Sequence, residues 1–321
     1  MQLRLLTGAD IARALPMPLA IEGMKRTYLH LSAGEVSMPL RSRVEIPQHA
    51  GATLTMSAHV CGDDALAVKV VSVFHNNPLR QLPLIYGIVL ALDATTGQPL
   101  ALLDGASLTA IRTGAASGAA TDALARPDAA IAAIIGSGAQ ARAQLEGISA
   151  VRRLRTVRVY SRNPQHAAAF AQEMGVEAVS TPAEAIRDAD IICTATASAA
   201  PVFDGHDLKP GAHINAIGSF TAEMQEVDVE TIRRALVVVD SRESALAEAG
   251  DLVIPIRNGE VPASHIHAEL GEILAGRKRG RTSPNEITYF KSCGLAVQDA
   301  VAANIVLKQA LAANLGAVVN L

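Results

Sequence analysis

Apolar residues along this 321-residue chain recur first at helical spacing, then in β-type runs, and finally in a regular alternation of the two. From Thr7 onward the spacing is helical, but Pro16 and Pro18 interrupt it, so we predict two helices instead of one. Between residues 36 and 99, short β-type runs lie between Pro and Gly/Asp turns, at 52–56, 65–74 and 84–93. These runs predict an antiparallel sheet.

A helix of small residues is predicted at 107–125, and the Arg126-Pro127 pair after it indicates a domain boundary. Beyond residue 129 strands and helices alternate, with strands predicted at 130–135, 156–160, 190–194, 213–217 and 236–240. Their apolar residues are continuous, which is typical of parallel strands covered by helices on both faces. A last helix, at 295–315, is long enough to return to the first domain.

The predicted fold class is therefore α/β. A Rossmann-type doubly wound parallel sheet domain, at 123–296, is inserted into an α+β domain made of residues 1–122 and 297–321.

The amino-acid composition excludes several classes of protein. Half of the residues are hydrophobic, 18% are charged, and 28 Lys+Arg face 31 Asp+Glu, which excludes a disordered chain and a polybasic nucleic-acid binder. The three cysteines, Cys61, Cys193 and Cys293, form neither a disulfide framework nor a CxxC site. No charge-free apolar run approaches the ~18 residues of a membrane span. We expect a cytoplasmic protein with no membrane or nucleic-acid partner.

A Gly-x-Gly-x-x-Ala motif lies where the predicted strand 130–135 meets the next helix. Gly136 permits the tight turn, Gly138 lets a pyrophosphate approach the backbone, and Ala141 lets the helix pack on the strand. The alternative is a glycine-rich turn that binds nothing. We predict a dinucleotide site whose first residues are Gly136, Ser137, Gly138, Ala139 and Gln140.

The residues after the predicted strand 156–160 indicate whether the chain prefers NAD or NADP. NAD-selective enzymes place an acidic residue there for the ribose hydroxyls, but this chain has Ser161, Arg162 and Asn163. A guanidinium with no carboxylate beside it suits a 2′-phosphate, so we predict that NADPH is preferred over NADH. The alternative is that Arg162 is an ordinary solvated loop residue.

Loops at the carboxyl ends of two further strands are expected to line the cofactor, because ligands of such sheets lie at that edge. Their predicted contact residues are Thr194, Ala195, Thr196, Gly218 and Ser219. Cys193 precedes them in an apolar strand and is interpreted as a buried structural cysteine.

Three cations lie in otherwise apolar segments: Arg41 after Met38-Pro-Leu40 in a predicted strand, Lys69 in a β-run, and Arg112 in the small-residue helix. Taken singly, each is more often structural, and Arg112 is a candidate internal ion-pair partner. Together, in a chain with a nicotinamide site, they predict a clamp for a substrate carboxylate. No Gly-x-Ser-x-Gly elbow occurs, and the His265/His267 pair has no third ligand, so no hydrolase nucleophile and no metal site are predicted.

These motifs, in this order along nearly the whole chain, resemble those of the ornithine cyclodeaminase/mu-crystallin family. The segments that carry the resemblance are MPLR, AVKVV with NNP after it, DGASLTAIRTGAASGAAT, IIGSGAQA, YSRNP, CTAT, GAHINAIGS and SCGLAVQDAVAA. The resemblance implies a substrate and dimerisation domain, a central Rossmann domain and a homodimer.

The resemblance also implies residue roles. Arg41, Lys69 and Arg112 match positions that hold the substrate carboxylate, and Lys69 also assists proton transfer. Asp299 matches an acidic position at the nicotinamide end and is a second candidate catalytic residue. Arg112 and Thr113 are also expected to contact the cofactor.

The chain departs from the cyclodeaminases at one position. Their Asn-x-x-Gly is followed by Gly-Asp, and that aspartate activates water, whereas Asn215-Ala-Ile-Gly218 is followed here by Ser219-Phe220. This difference favours an NAD(P)H-dependent reductase of small imino acids, such as Δ1-pyrroline-2-carboxylate, over ornithine cyclodeamination. Two further functions within the family stay open: an alanine-type amino-acid dehydrogenase, and a non-catalytic, NADPH-dependent binding protein of mu-crystallin type.

Overall fold

A computed structural model describes residues 1–320 of the chain, which form two compact units. The first unit comprises residues 1–112 and the described residues from Leu295 onward, and the second is Thr113–Gly294. The second unit is thus continuous in the chain and lies between two segments of the first.

The first unit contains a mixed eight-stranded sheet in the order β16-β1-β7-β6-β5-β4-β2, with β3 also paired to β4. Its elements are β1 (Gln2–Leu6), α1 (Gly8–Ala14), α2 (Met17–Ala33), β2 (Val36–Ser37), β3 (Ser42–Ile46), β4 (Gly51–Val60), β5 (Ala65–Phe74), β6 (Ile85–Asp93), β7 (Pro99–Asp104), the first part of α3 (Gly105–Leu124), α11 (Ala296–Ala312) and β16 (Ala317–Asn320).

The three predicted runs correspond to β4, β5 and β6, which pair antiparallel as expected, and the prolines do separate α1 from α2. The antiparallel pairing continues to β7, which the sequence did not predict. The edge strands β1 and β16 were not predicted. They pair with each other over only four or five residues, too few for a spacing pattern to stand out.

One face of the central strands packs against α11. Side chains alternate between the two faces of a strand, and on β5 the buried set is Ala65, Ala67 and Lys69. Val89 of β6 lies opposite Lys69 and is also buried. A lysine therefore occupies a core position in the layer between the sheet and α11.

The second unit contains an eight-stranded sheet in the order β10-β9-β8-β11-β12-β15-β13-β14, in which every pairing is parallel. Its elements are β8 (Ile131–Ile135), α4 (Ala139–Ser149), β9 (Thr156–Tyr160), α5 (Pro164–Met174), β10 (Glu177–Ala178), α6 (Pro182–Ile186), β11 (Ile191–Thr194), β12 (His213–Ala216), α7 (Val229–Arg234), β13 (Ala235–Val239), α8 (Arg242–Glu248), α9 (Gly250–Arg257), β14 (Ile266–Glu269), α10 (Leu270–Leu274) and β15 (Ile287–Lys291).

Both faces of this sheet are buried. Along β8, Ala132 and Ile134 belong to one hydrophobic cluster, whereas Ala133 and Ile135 belong to another. The doubly wound Rossmann-type sheet predicted from the continuous apolar strands is confirmed.

The boundaries between the units differ from those expected at 122/123 and 296/297. The first division falls at Arg112/Thr113, inside α3, because the second half of this helix packs closely on α4. A Cβ on Gly114 would lie 2.1 Å from the carbonyl oxygen of Ala143, and one on Gly147 would lie 2.1 Å from the carbonyl oxygen of Gly114. The small residues that predicted a helix thus bind its second half to the Rossmann unit.

Among residues 1–320, no helix combines the length and apolar character needed to cross a membrane.

Candidate active site

A buried carboxylate joins two of the predicted cations in the first unit. Asp299 lies in the first turn of α11, where its Oδ2 accepts a hydrogen bond of 2.5 Å from Nζ of Lys69 and its Oδ1 accepts one of 3.0 Å from Nε of Arg112. Lys69, Arg112 and Asp299 are 3%, 4% and 1% exposed. The two cations and the acid therefore form one charge-assisted cluster in an apolar layer.

A second layer fixes the Arg112 guanidinium. Its Nη1 donates to Oε1 of Gln298 at 2.9 Å, and the same oxygen accepts from the backbone N–H of Leu295 at 2.8 Å. Nε2 of Gln298 donates to the Tyr28 hydroxyl on α2 at 2.7 Å. Nη2 of Arg112 takes part in neither the Asp299 nor the Gln298 contact, and so presents a further donor.

The cluster tunes the proton affinity of its members. The pKa of the Lys69 ammonium is lowered to about 8 by burial and by the positive charges of Arg112 and Arg41, against the opposing effect of Asp299. Burial alone would raise the pKa of Asp299, but the charges and hydrogen bonds of Arg112 and Lys69 outweigh it and keep that pKa below its ordinary value. Near neutral pH the site holds an ionised acid beside a lysine that can release its proton.

Arg41 lies outside the strands, so its predicted place in a strand is wrong. It is half-buried and lies immediately before β3, in an irregular segment that follows Pro39, which cannot donate to a ladder. Its charge nevertheless acts on Lys69, since it contributes to the lowered pKa of that lysine.

The glycine motif of the second unit forms the turn from β8 into α4. Gly136 has φ +116°, and a Cβ there would lie 2.5 Å from the carbonyl oxygen of Ala195, so glycine is required. Gly138 is the N-cap of α4, and a Cβ at Gly138 would meet no atom within 4 Å. Oε1 of Gln140 is buried and has no hydrogen-bond partner. The open backbone at the N-terminus of α4 suits the negative charge of a dinucleotide pyrophosphate.

The residues predicted at the ribose end lie after β9. The Ser137 hydroxyl donates to the Ser161 hydroxyl at 3.0 Å, which joins the glycine turn to this loop. Arg162 is exposed. Asn163 is the N-cap of α5, where its Oδ1 accepts from the backbone N–H of Gln165 at 2.9 Å. Its side chain therefore stabilises the helix N-terminus.

Of the other predicted cofactor residues, Thr113 accepts a 3.3 Å hydrogen bond on its carbonyl oxygen from Nε2 of Gln144, and Ala139 is the exposed first residue of α4. Ala195 supplies the carbonyl that confines Gly136.

The loops after β11 and β12 converge on a residue that sequence reasoning missed. Thr194, Thr196, Gly218 and Ser219 all donate hydrogen bonds to the carboxylate of Glu226, which is fully buried. The only sequence signal is an acidic residue in the short segment between two predicted strands, and such residues are usually exposed.

The remaining candidates are structural. Cys193 is buried on β11, and burial raises the pKa of its thiol to about 12. His265 and His267 each have a ring nitrogen at a backbone carbonyl oxygen, that of Ile232 and that of Arg279. Within residues 1–320 no group of three or more His, Cys, Asp or Glu residues could hold a metal ion.

The family model of the ornithine cyclodeaminase/mu-crystallin family matches residues 2–314. The chain belongs to this family. A curated relative, the Δ1-pyrroline-2-carboxylate reductase of Bacillus cereus, is 45% identical over 293 residues, which are 89% of this chain and 90% of that protein.

Two solved structures share the fold of this chain. The Δ1-pyrroline-2-carboxylate reductase of Thermococcus litoralis, in complex with NADH and L-proline, has a TM-score of 0.95 at 42% identity and covers 99% of this chain and 100% of its own. An archaeal alanine dehydrogenase dimer with bound NAD has a TM-score of 0.93 at 33% identity, over 100% of this chain and 99% of its own.

The segment in which this chain differs from the cyclodeaminases, Ser219-Phe220, is well packed. Ser219 is buried, and its hydroxyl donates to the carbonyl oxygen of Met224 at 2.8 Å, while Phe220 next to it is half-buried. No carboxylate stands at either position to activate a water molecule.

Proposed function

We propose that this chain is an NAD(P)H-dependent reductase of small imino acids, and that it reduces cyclic ketimines such as Δ1-pyrroline-2-carboxylate, which would yield L-proline. The Lys69–Asp299–Arg112 cluster carries the proposal, because it combines a proton donor with a carboxylate-binding cation. The Bacillus and Thermococcus relatives are reductases of this substrate, and the Thermococcus structure contains NADH and L-proline.

Each residue of the cluster has a separate role in the proposed reaction. Nη2 of Arg112, with the charge of Arg41, binds the substrate carboxylate and so orients the neighbouring C=N bond. The Lys69 ammonium donates its proton to the imine nitrogen, which makes the imine carbon more electrophilic. Asp299 keeps Lys69 protonated near neutral pH, because without this acid burial would lower the pKa of the lysine further.

The second unit fits a nicotinamide dinucleotide at the open Gly138 backbone and the N-terminus of α4. When bound, this cofactor supplies the hydride. The protein contributes the binding site, the orientation of the substrate and the proton.

The proposed preference for NADPH rests on the ribose end. Ser161 and Arg162 provide a hydroxyl and an exposed guanidinium, and no acidic side chain occurs at residues 161–163 to repel a 2′-phosphate. The Thermococcus relative was solved with NADH, so the two cofactors are to be compared directly.

A homodimer is also proposed. The face of the first sheet opposite α11 carries apolar side chains that are half-buried or exposed, among them Val44, Val68, Val70, Tyr86 and Ile88. A strand with apolar residues on both faces is typical of a sheet covered on both sides. The alanine dehydrogenase relative is a dimer, and a second copy of this chain would cover the open face.

The experiment is a steady-state assay of cofactor oxidation by the purified protein. The substrates compared are Δ1-pyrroline-2-carboxylate, its six-membered homologue, pyruvate with ammonia, and ornithine, each with NADPH and with NADH. We expect cofactor oxidation with the cyclic imines and a higher kcat/KM with NADPH. Release of ammonia from ornithine without net cofactor consumption would make the chain a cyclodeaminase. Tight cofactor binding with no turnover of any imine would make it a binding protein.

A further inference from the structure

A buried carboxylate connects the two cofactor-lining loops of the second unit, and none of the roles proposed above uses it. We infer that Glu226 is a positioning residue for dinucleotide binding: it holds the loop after β11 and the loop after β12 in the arrangement that accepts the cofactor. This inference rests on the proposed dinucleotide binding by Thr113–Gly294, and it assigns Glu226 no contact with the reacting atoms.

The contacts of Glu226 span both loops. Its Oε1 accepts from the backbone N–H of Thr196 at 2.7 Å and from the Thr196 hydroxyl at 2.9 Å. Its Oε2 accepts from the Thr194 hydroxyl at 2.9 Å and from the backbone N–H groups of Gly218 and Ser219 at 2.7 and 3.2 Å. One side chain thus satisfies donors at the ends of two adjacent parallel strands.

All five of these partners donate, and only an ionised carboxylate accepts from every one of them. A carboxylic acid or an amide would turn a proton toward backbone N–H groups and leave buried donors unpaired. The geometry therefore requires the ionised form, although burial raises the pKa of Glu226 above its ordinary value.

The backbone of Glu226 is itself anchored. Its N–H donates to Oδ1 of Asp251 at 2.6 Å, and Oδ2 of Asp251 accepts from Nζ of Lys291 at 2.8 Å and from the Tyr289 hydroxyl at 3.2 Å. Asp251, Tyr289 and Lys291 are fully buried, and the last two lie on β15, which pairs with β12. The carboxylate is fixed to the sheet instead of following the loops.

The two loops approach each other closely at this point. A Cβ on Gly218 would lie 2.1 Å from the carbonyl oxygen of Thr196 and 2.6 Å from Oε1 of Glu226. Glycine is needed here because any side chain would push the loops apart. The hydroxyls of Thr194 and Thr196 donate to Glu226, so these threonines act on the cofactor through the placement of their loops.

A matched control lies at the other end of the same strand. Asp190 precedes β11, is also buried, and accepts from the backbone N–H groups of Ala130 and Ile131 at 2.9 and 3.0 Å. Asp190→Asn should cost stability as Glu226→Gln does, but it leaves the loops at the carboxyl edge in place.

The test measures the Kd of NADPH and of NADH for folded wild type, Glu226→Gln and Asp190→Asn by fluorescence titration, together with steady-state kinetics. In Glu226→Gln we expect Kd and the KM for the cofactor to rise by about tenfold or more, while the KM for the imino acid is unchanged. In Asp190→Asn the Tm should fall, while Kd stays within about twofold of wild type.

Should Glu226→Gln not fold, Glu226→Asp decides, because it keeps the charge but shortens the reach to both loops, so its cofactor Kd should rise as well. The inference would be overturned if the folded Glu226 variant bound the cofactor with wild-type affinity. It would also be overturned if Asp190→Asn lost as much cofactor affinity as the Glu226 variant. A wild-type protein that binds no dinucleotide would instead overturn the proposed function.

Discussion

Lys69 and Asp299 are 230 positions apart in the chain, yet Nζ of the lysine lies 2.5 Å from Oδ2 of the aspartate in a buried layer. Neither charge is stable there alone, because an isolated buried ion is costly to desolvate. The pair therefore joins β5 to α11, and with Arg112 it makes the return of the last helix a condition for assembling the site.

The first prediction concerns pH. Lys69 donates its proton in the proposed reaction, and its folded-state pKa is about 8, so kcat/KM for the imino acid should fall as pH rises through about 8. The reverse oxidation of the amino acid needs neutral Lys69, so its kcat/KM should rise through the same pH. Profiles of both directions check the assignment, and two flat profiles would remove Lys69 from proton transfer.

The second prediction concerns Asp299→Asn. The substitution leaves the Lys69 and Arg112 charges without their buried partner, so the free energy of unfolding should fall by ~3–5 kcal/mol. Because Asp299 raises the pKa of Lys69, the alkaline limb of the forward profile should also move below pH 8. Chemical denaturation and the pH profile measure the two effects.

The control for Asp299→Asn is Glu22→Gln, which removes the acid of an exposed pair with Lys25 and should change stability by less than about 1 kcal/mol. Equal losses in the two variants would contradict the cost assigned to the buried cluster.

The parts of the site that depend on local chain geometry could be predicted from the sequence. The glycine turn was recognisable because a strand, two glycines and a helix follow one another directly, and Lys69 because it is a lone charge in an apolar β-run. The ion-pair partner of Arg112 was not recognisable as Asp299, since that contact depends on how α11 returns to the first sheet.

The role of Glu226 could not be predicted from the sequence, for a related reason. Three of its five donors are backbone N–H groups, which every residue except proline has, and the segment that carries it has no regular periodicity. The position of the first unit boundary was missed because glycine and alanine in α3 predict a helix but not what the helix packs against.

The third prediction separates two glycines of the same turn. Gly138→Ala adds a methyl group to open space at φ −82°, so stability should change by less than about 1 kcal/mol, while the Kd of the dinucleotide rises because the methyl group occupies the pyrophosphate position. Gly136→Ala should destabilise the unit, since its φ is +116° and its Cβ would meet the Ala195 carbonyl. Tm and cofactor titrations measure both; unaltered affinity in Gly138→Ala would place the pyrophosphate elsewhere.

The fourth prediction tests cofactor choice. Arg162→Ala removes the guanidinium proposed to bind the 2′-phosphate, so the KM for NADPH should rise by about tenfold while the KM for NADH stays the same. Arg155→Ala is the matched control, because Arg155 is also exposed but precedes β9, at the opposite end of the strand. Parallel loss with both cofactors, or no loss with either, would refute the role of Arg162.

The fifth prediction concerns the open face of the first sheet. Ile88 is 47% exposed on β6, next to Val70 on β5, so Ile88→Lys would place a charge in the centre of the proposed dimer interface. We expect this variant to be monomeric by sedimentation velocity at concentrations where the wild type is a dimer, because an unpaired charge in an apolar interface is costly to desolvate. Leu246→Lys is the control: Leu246 is 42% exposed on α8 of the other unit, and its substitution should leave the dimer intact. A dimeric Ile88→Lys protein would show that this face is not the interface.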